Sequence, residues 1–186
     1  MTRPRLRTWL ALAAFALPFA SFAGSYTVQQ PGSTLGFSGT FQGASFDGHF
    51  GKWNATISYD PAHLASSKFD VTVDLASANT GDSDRDGALP GPDFFDTAKY
   101  PQAHFVTTRF QQVGGKVIAD GMLTLRGVTK PVSLTVNFKP QGKGATLDVN
   151  GTLKRLDFGV GGGQYADTSV IGADVKVTAH LVLQAK

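Results

Sequence analysis

The run Asp82-Ser83-Asp84-Arg85-Asp86-Gly87 fits D-x-D-x-D-G, the opening of a calcium-binding loop. In that chemistry alternate carboxylates converge as hard oxygen ligands. The fit then weakens. Pro90 holds the ninth position, Asp93 stands where a bidentate Glu belongs, and the preceding segment reads as a strand. Arg85 also offers an internal counter-charge. The loop therefore has two readings: a weak metal site on Asp82, Asp84 and Asp86, or a loop that pairs its own charges, which the sequence favours.

Other chemistry has less support. His49, His63, His104 and His180 lie far apart, and the chain has no Cys to complete a metal set or act as a thiol nucleophile. The stretch Gly36-Phe37-Ser38-Gly39-Thr40 lacks the final Gly of a G-x-S-x-G nucleophile elbow. The stretch Gly159-Val160-Gly161-Gly162-Gly163 misses the last Gly of a dinucleotide fingerprint. Asp is abundant, but nothing singles out a carboxylate pair for glycoside chemistry. The expectation is a protein without catalytic residues.

Charge narrows the field further. The chain has 17 Lys+Arg against 14 Asp+Glu, a net charge of +3. Arg3, Arg5 and Arg7 account for the whole surplus, ahead of an apolar run over residues 8–20. Ser21-Phe22-Ala23 then offers small residues at the positions a signal peptidase reads. Residues 1–23 are accordingly expected to be a signal peptide, the alternative being a membrane anchor. Residues 24–186 would then be a periplasmic or secreted domain, balanced at 14 charges of each sign. That balance argues against nucleic acid, whose binders need a basic surplus.

The elements that must position any site read as strands. All 14 acidic residues are Asp and all 22 glycines follow residue 23, a composition for strands and tight turns rather than helices. Apolar residues alternate along 35–41, 46–50, 53–59, 69–75, 117–125, 132–138, 145–153 and 175–183. The fold class is all-β, with about eight antiparallel strands in one domain. Parity alone leaves a sandwich and a closed barrel open; an eight-stranded barrel can hold one small ligand. Gly39, Gly48, Ala55, Ala119, Gly121 and Ala145 fall on the inward parity, where they either leave a lumen or mark bends. The irregular stretch over residues 78–102 holds one expected short helix, residues 93–100, with Asp93 near its start.

Three motifs carry a resemblance to a known family. The set Thr80-Gly81, Arg85-Asp86, Leu89, Asp93-Phe94-Phe95-Asp96, Tyr100-Pro101 and Phe105 resembles the central motif of the YceI-like family. Gly121-Met122-Leu123-Thr124-Leu125-Arg126-Gly127-Val128-Thr129-Lys130 resembles its hairpin, and Arg155-Leu156-Asp157-Phe158-Gly159-Val160 its R-x-D-F-G segment. The resemblance implies a lipocalin-like extended antiparallel β-barrel, periplasmic or secreted. It further implies a carrier, not an enzyme, that holds a polyprenyl or quinone-like isoprenoid in its lumen. Where many members carry a His in the first strand region, residues 29–34 have none. The stretch over residues 35–43 resembles the variant found beside cytochrome b561-type membrane proteins, which implies such a partner. Monomer and homodimer both remain open, as do a ligand-free structural or stress-protective role and a hydrolase.

On the carrier reading, the inward parity supplies the lining: Phe37, Phe41, Trp53, Ile57, Phe69, Val71, Val73, Leu123, Leu125, Leu134, Val136, Leu147, Val177 and Leu181. Arg85, Asp86 and Asp157 are expected at the mouth, near a head group. A tail burying several hundred Å² would gain on the order of 10 kcal/mol before ordering costs.

Overall fold

The computed structural model describes residues 24–186. The expected signal peptide lies outside the described residues. The strands are β1 (Gly24–Phe41), β2 (Ala44–Phe50), β3 (Trp53–Tyr59), β4 (Lys68–Asp74), β5 (Ala78–Asn79), β6 (Gln102–Val113), β7 (Lys116–Leu125), β8 (Val128–Gln141), β9 (Gly144–Lys154) and β10 (Asp174–Ala185). One α-helix, α1 (Ser83–Ala88), lies in the irregular stretch.

Eight strands close a ring in the order β1-β3-β4-β6-β7-β8-β9-β10, and β10 returns to β1. All pairings are antiparallel, and closure removes the exposed edges that an open sheet would leave. The fold is thus the barrel, not the sandwich. Strand β1 is long enough to serve three neighbours. Its start pairs with β3, from Gly24↔Tyr59 to Tyr26↔Ile57. Its end pairs with β2, from Gly36↔His49 to Phe41↔Ala44. Between them the chain bulges at residues 30–33, where Gly32 takes φ +93. The Ser33 hydroxyl pins that bulge by donating to the Gln29 carbonyl at 2.6 Å and accepting from the Val182 N–H at 2.9 Å.

The ring does not use the eight segments that alternate most cleanly. Strand β2, which alternates well, flares outside it and carries the two-residue β5. Strand β6, which the alternation missed, is inside it. The reason is a bulge in β6 that inserts Thr108 between the pairs Thr107↔Gly121 and Arg109↔Asp120. Ala103, Phe105 and Thr107 face inward on one parity, and Phe110 does so on the other. A bulge shifts the period-2 pattern by one residue.

The helix is also displaced from its expected place. Residues 93–100 form successive turns, because Asp96 takes φ +50 and cannot continue a right-handed helix. Instead α1 forms ten residues earlier. The Asp82 carboxylate accepts the Arg85 N–H at 3.0 Å, capping its N-terminus.

The small inward residues neither empty nor bend the barrel at three positions. The ring of Phe46 lies over Gly39, that of Phe37 over Gly48, and that of Phe105 over Gly121. In each case a neighbouring strand's aromatic ring fills the space a side chain would occupy.

Candidate functional site

The interior divides into two layers along β3, β4, β7, β8, β9 and β10. Toward one end the inward residues are fully packed: Ile57 is 2% exposed, Phe69 2%, Leu147 0% and Leu181 4%. Toward the other end of the same strands, Trp53, Val71, Val73, Leu123, Leu134, Val149 and Val177 are only half-buried, although they point inward. The surface they show faces an internal cavity of about 250 Å³. Among the described residues, Arg155 carries the only charge in its wall and Thr178 the only hydroxyl; all else is aliphatic, aromatic or glycine.

Aromatic rings close the packed end. Phe69 packs edge-on against Phe110 at 4.9 Å between centroids, and Tyr59 contacts both. Phe138 lies 4.9 Å from Tyr59 and 5.7 Å from Tyr26. Burial raises the Tyr59 phenol above its ordinary pKa, so it stays neutral across the physiological range. Of these five rings only Phe69 reaches the cavity, so this layer is its floor.

Loops roof the opposite end. Leu89, Phe94 and Phe95 come from the irregular stretch; Phe158, Val160 and Ile171 come from the segment between β9 and β10. Two arginines hold these loops together. Arg155 is 5% exposed and has no carboxylate partner. Its Nε–H donates to the Gly172 carbonyl at 3.0 Å. Its two terminal nitrogens donate to Val160 at 3.0 Å, to Gly161, and to Tyr165 and Ile171 at 2.8 Å each. All five guanidinium N–H groups are thereby used. Burial lowers its pKa from the ordinary value, but an arginine keeps its charge regardless. Arg126, held at φ +50 in the β7–β8 turn, donates to the carbonyls of Asp93, Phe94, Gly159 and Pro92. The Gly161 N–H donates to the Asp93 carbonyl at 2.8 Å, and the rings of Phe94 and Tyr165 meet at 5.0 Å.

Twelve of the fourteen expected lining residues are in the cavity wall: Phe37, Trp53, Ile57, Phe69, Val71, Val73, Leu123, Leu125, Leu134, Leu147, Val177 and Leu181. Val136 faces inward but lies below the floor, packed in the core with Ala119 and Leu147. Phe41 ends β1 beyond the ring and is 42% exposed, because the chain there pairs with the flared β2 and bridges to Ile171. Sequence reasoning missed the roof and the two arginines. The available signal was apolar residues (Phe94, Phe95, Phe158 and Val160) in segments with no strand period, which demand burial all the same.

The expected mouth residues separate. Asp157 sits on the outside, 3.7 Å from Lys130 and half exposed. Arg85 lies 4.2 Å over the ring of Phe46, a wall residue, without lining the cavity itself. It also donates to the Thr80 hydroxyl at 3.1 Å. Asp86 accepts from the Thr80 N–H and hydroxyl, both at 2.7 Å, and these bonds hold its carboxyl below the ordinary range. Asp82 caps α1 instead of turning toward Asp86. The three carboxylates do not converge, and no cluster of three or more acidic or His ligands forms among the described residues. The histidines stay outside too. His63, His104 and His180 pair with Asp60, Asp70 and Asp148 at 2.6–2.9 Å on the outer face.

The sequence pattern of the YceI-like domain matches residues 26–183. The chain belongs to the YceI-like family. Similar family members include a UPF0312 protein of Pseudomonas savastanoi pv. phaseolicola, 37% identical over 168 residues, with 82% of this chain and 88% of that protein covered. A UPF0312 protein of Photorhabdus laumondii is 34% identical over 164 residues, covering 82% and 85%. The YceI-like barrel also matches solved structures. Burkholderia cenocepacia BcnA has a TM-score of 0.80 and 32% identity, with 84% of this chain and 99% of BcnA covered. A polyisoprenoid binding domain from Saccharophagus degradans, 21% identical, shares the fold at a TM-score of 0.65, covering 89% and 100%.

Proposed function

We propose that this protein is an exported, non-catalytic carrier that holds an isoprenoid-type amphiphilic lipid, polyprenyl or quinone-like, in its barrel lumen. The observation that carries the reading is an internal cavity whose wall is aliphatic and aromatic apart from the Thr178 hydroxyl, the Trp53 indole N–H and Arg155, which spends every N–H on the roof. Such a wall recognises shape and apolarity, and burial of an apolar chain is its driving term. The polyisoprenoid binding described for the Saccharophagus degradans domain points to the same ligand class.

Arg85 is the head-group residue in this reading, being charged and stacked on a wall ring. Residues 1–23 direct export to the periplasm or beyond. The stretch over residues 35–43 favours a cytochrome b561-type membrane partner that would give or take the lipid.

Native mass spectrometry of the protein purified from its own source tests the carrier. A bound lipid mass, lost on denaturation and regained when refolded protein meets a prenol or quinone, is the expected result. A protein that is repeatedly empty and refuses both ligands would overturn it.

A further inference from the structure

We propose that the ring layer at Phe69 is a chain-length stop: guests gain affinity with length only until their tail reaches it. The proposal rests on the lumen being a lipid site, and it adds which residue sets the ligand's size. Three observations carry it. On β3, β4, β9 and β10 the inward residues change from half-buried to fully buried at Ile57, Phe69, Leu147 and Leu181, which are the last residues of those strands to line the cavity.

The stop is also built deliberately into the backbone. Without the β6 bulge, the parity of Ala103, Phe105 and Thr107 would carry Arg109 inward. The inserted residue turns Arg109 out, where its Nε–H meets Asp120 at 2.7 Å, and turns Phe110 in against Phe69. Two further donors, Gln111 at 2.8 Å and Ser133 at 2.6 Å, secure the same carboxylate.

Lastly, Phe69 is anchored on both sides of its strand: it pairs with Ile57 of β3 on one side and is held by a side chain on the other. The β4–β6 ladder ends at Asp70↔Val106, and the buried Thr107 hydroxyl takes over, accepting the Phe69 N–H at 2.9 Å and donating to its carbonyl at 3.3 Å. A residue paired on one side and held by a buried side chain on the other is fixed in depth. A guest therefore meets a rigid surface there, not a core that yields.

The test is a series of straight-chain primary alcohols of increasing length, titrated into delipidated protein by displacement of a fluorescent apolar probe. Affinity of the unaltered protein should rise about fourfold per methylene and then stop rising at one length. Phe69→Ala should move that break to longer chains. Val71→Phe, which adds a ring one layer above the floor and into the void, should move it to shorter ones; this variant keeps the core below intact and does not depend on surviving the loss of Phe69. A series that climbs without a break, or a break that Val71→Phe leaves in place, would overturn the stop while leaving the carrier standing. No binding by any member would overturn the carrier reading, and the stop with it.

Discussion

Replacing Arg155 with Met should unfasten the roof. The perturbation removes a buried charge whose five N–H groups end on five carbonyls spread over residues 160–172. A hydrogen bond to a charged group is worth about 1.5–3 kcal/mol net. A simple sum overshoots, because the five share one side chain and part of their worth offsets the desolvation of the guanidinium. No charge is orphaned, but carbonyls left buried without a donor cost about 1–3 kcal/mol each, and with some of them finding water the expected loss is about 3–5 kcal/mol. For a domain of this size each kcal/mol lowers Tm by about 2–4 °C, so the midpoint should fall by roughly 6–20 °C. Arg155→Lys keeps the charge but concentrates it on one nitrogen with three donors, so it should recover only part of the loss. Urea unfolding gives the free energy. Limited proteolysis reads the location: cleavage in residues 159–173 should precede global unfolding in the Met variant. A Met variant within about 1 kcal/mol of the unaltered protein, with that segment still protected, would refute the assignment of Arg155 as the roof's fastening.

Other outcomes follow from the same contacts. Gly48→Ala would drive a methyl group into the Phe37 ring, which can yield only toward the lumen, so affinity for an apolar guest should drop about tenfold, the worth of one to two methylenes of lost burial. Thr107→Val should cost about 1–3 kcal/mol in urea by leaving the Phe69 N–H without its acceptor, and Thr107→Ser should restore most of it. Bonds from Ser133 and Arg109 lower the Asp120 pKa below its ordinary 3.8, so its contribution is fully present above that value and is lost as pH falls through the depressed one. Asp120→Asn should therefore flatten the loss of stability below about pH 4 seen in acid titration of the unaltered protein, leaving the neutral region less stable but less steeply pH-dependent.

Much of the barrel was legible because period-2 alternation is a local property. Seven of the eight ring strands announce an inward face, and that face supplied most of the cavity wall. What escaped was whatever local period cannot encode. The β6 bulge breaks the alternation at Thr108, so Phe105 and Phe110 read as unrelated. Parity says that Phe69 and Val71 both face in, but not that one lies in a floor and the other above it; that depends on rings from four other strands. The roof depends on long-range donors, and a guanidinium's five carbonyl partners leave no trace in the sequence beyond an arginine that looks like any other. Asp157 misled for the converse reason: the Arg-x-Asp motif brings it beside a buried residue, but the 3₁₀ turn Arg155–Phe158 sends the two side chains to opposite sides.

The uneven holding of β1 has a dynamic consequence. It is zipped to β10 on both sides of its bulge, yet to β3 only over Gly24, Ser25 and Tyr26. Past that point a lone amide, from Gln30 to the Trp53 carbonyl at 3.4 Å, spans the seam. A ring closed by longer ladders everywhere else will breathe where its zipper is shortest. Amide hydrogens on the β1-facing side of residues 53–56 should exchange with solvent ahead of those elsewhere in the barrel wall, and a pulling force applied to the first strand should peel the cylinder open along that line.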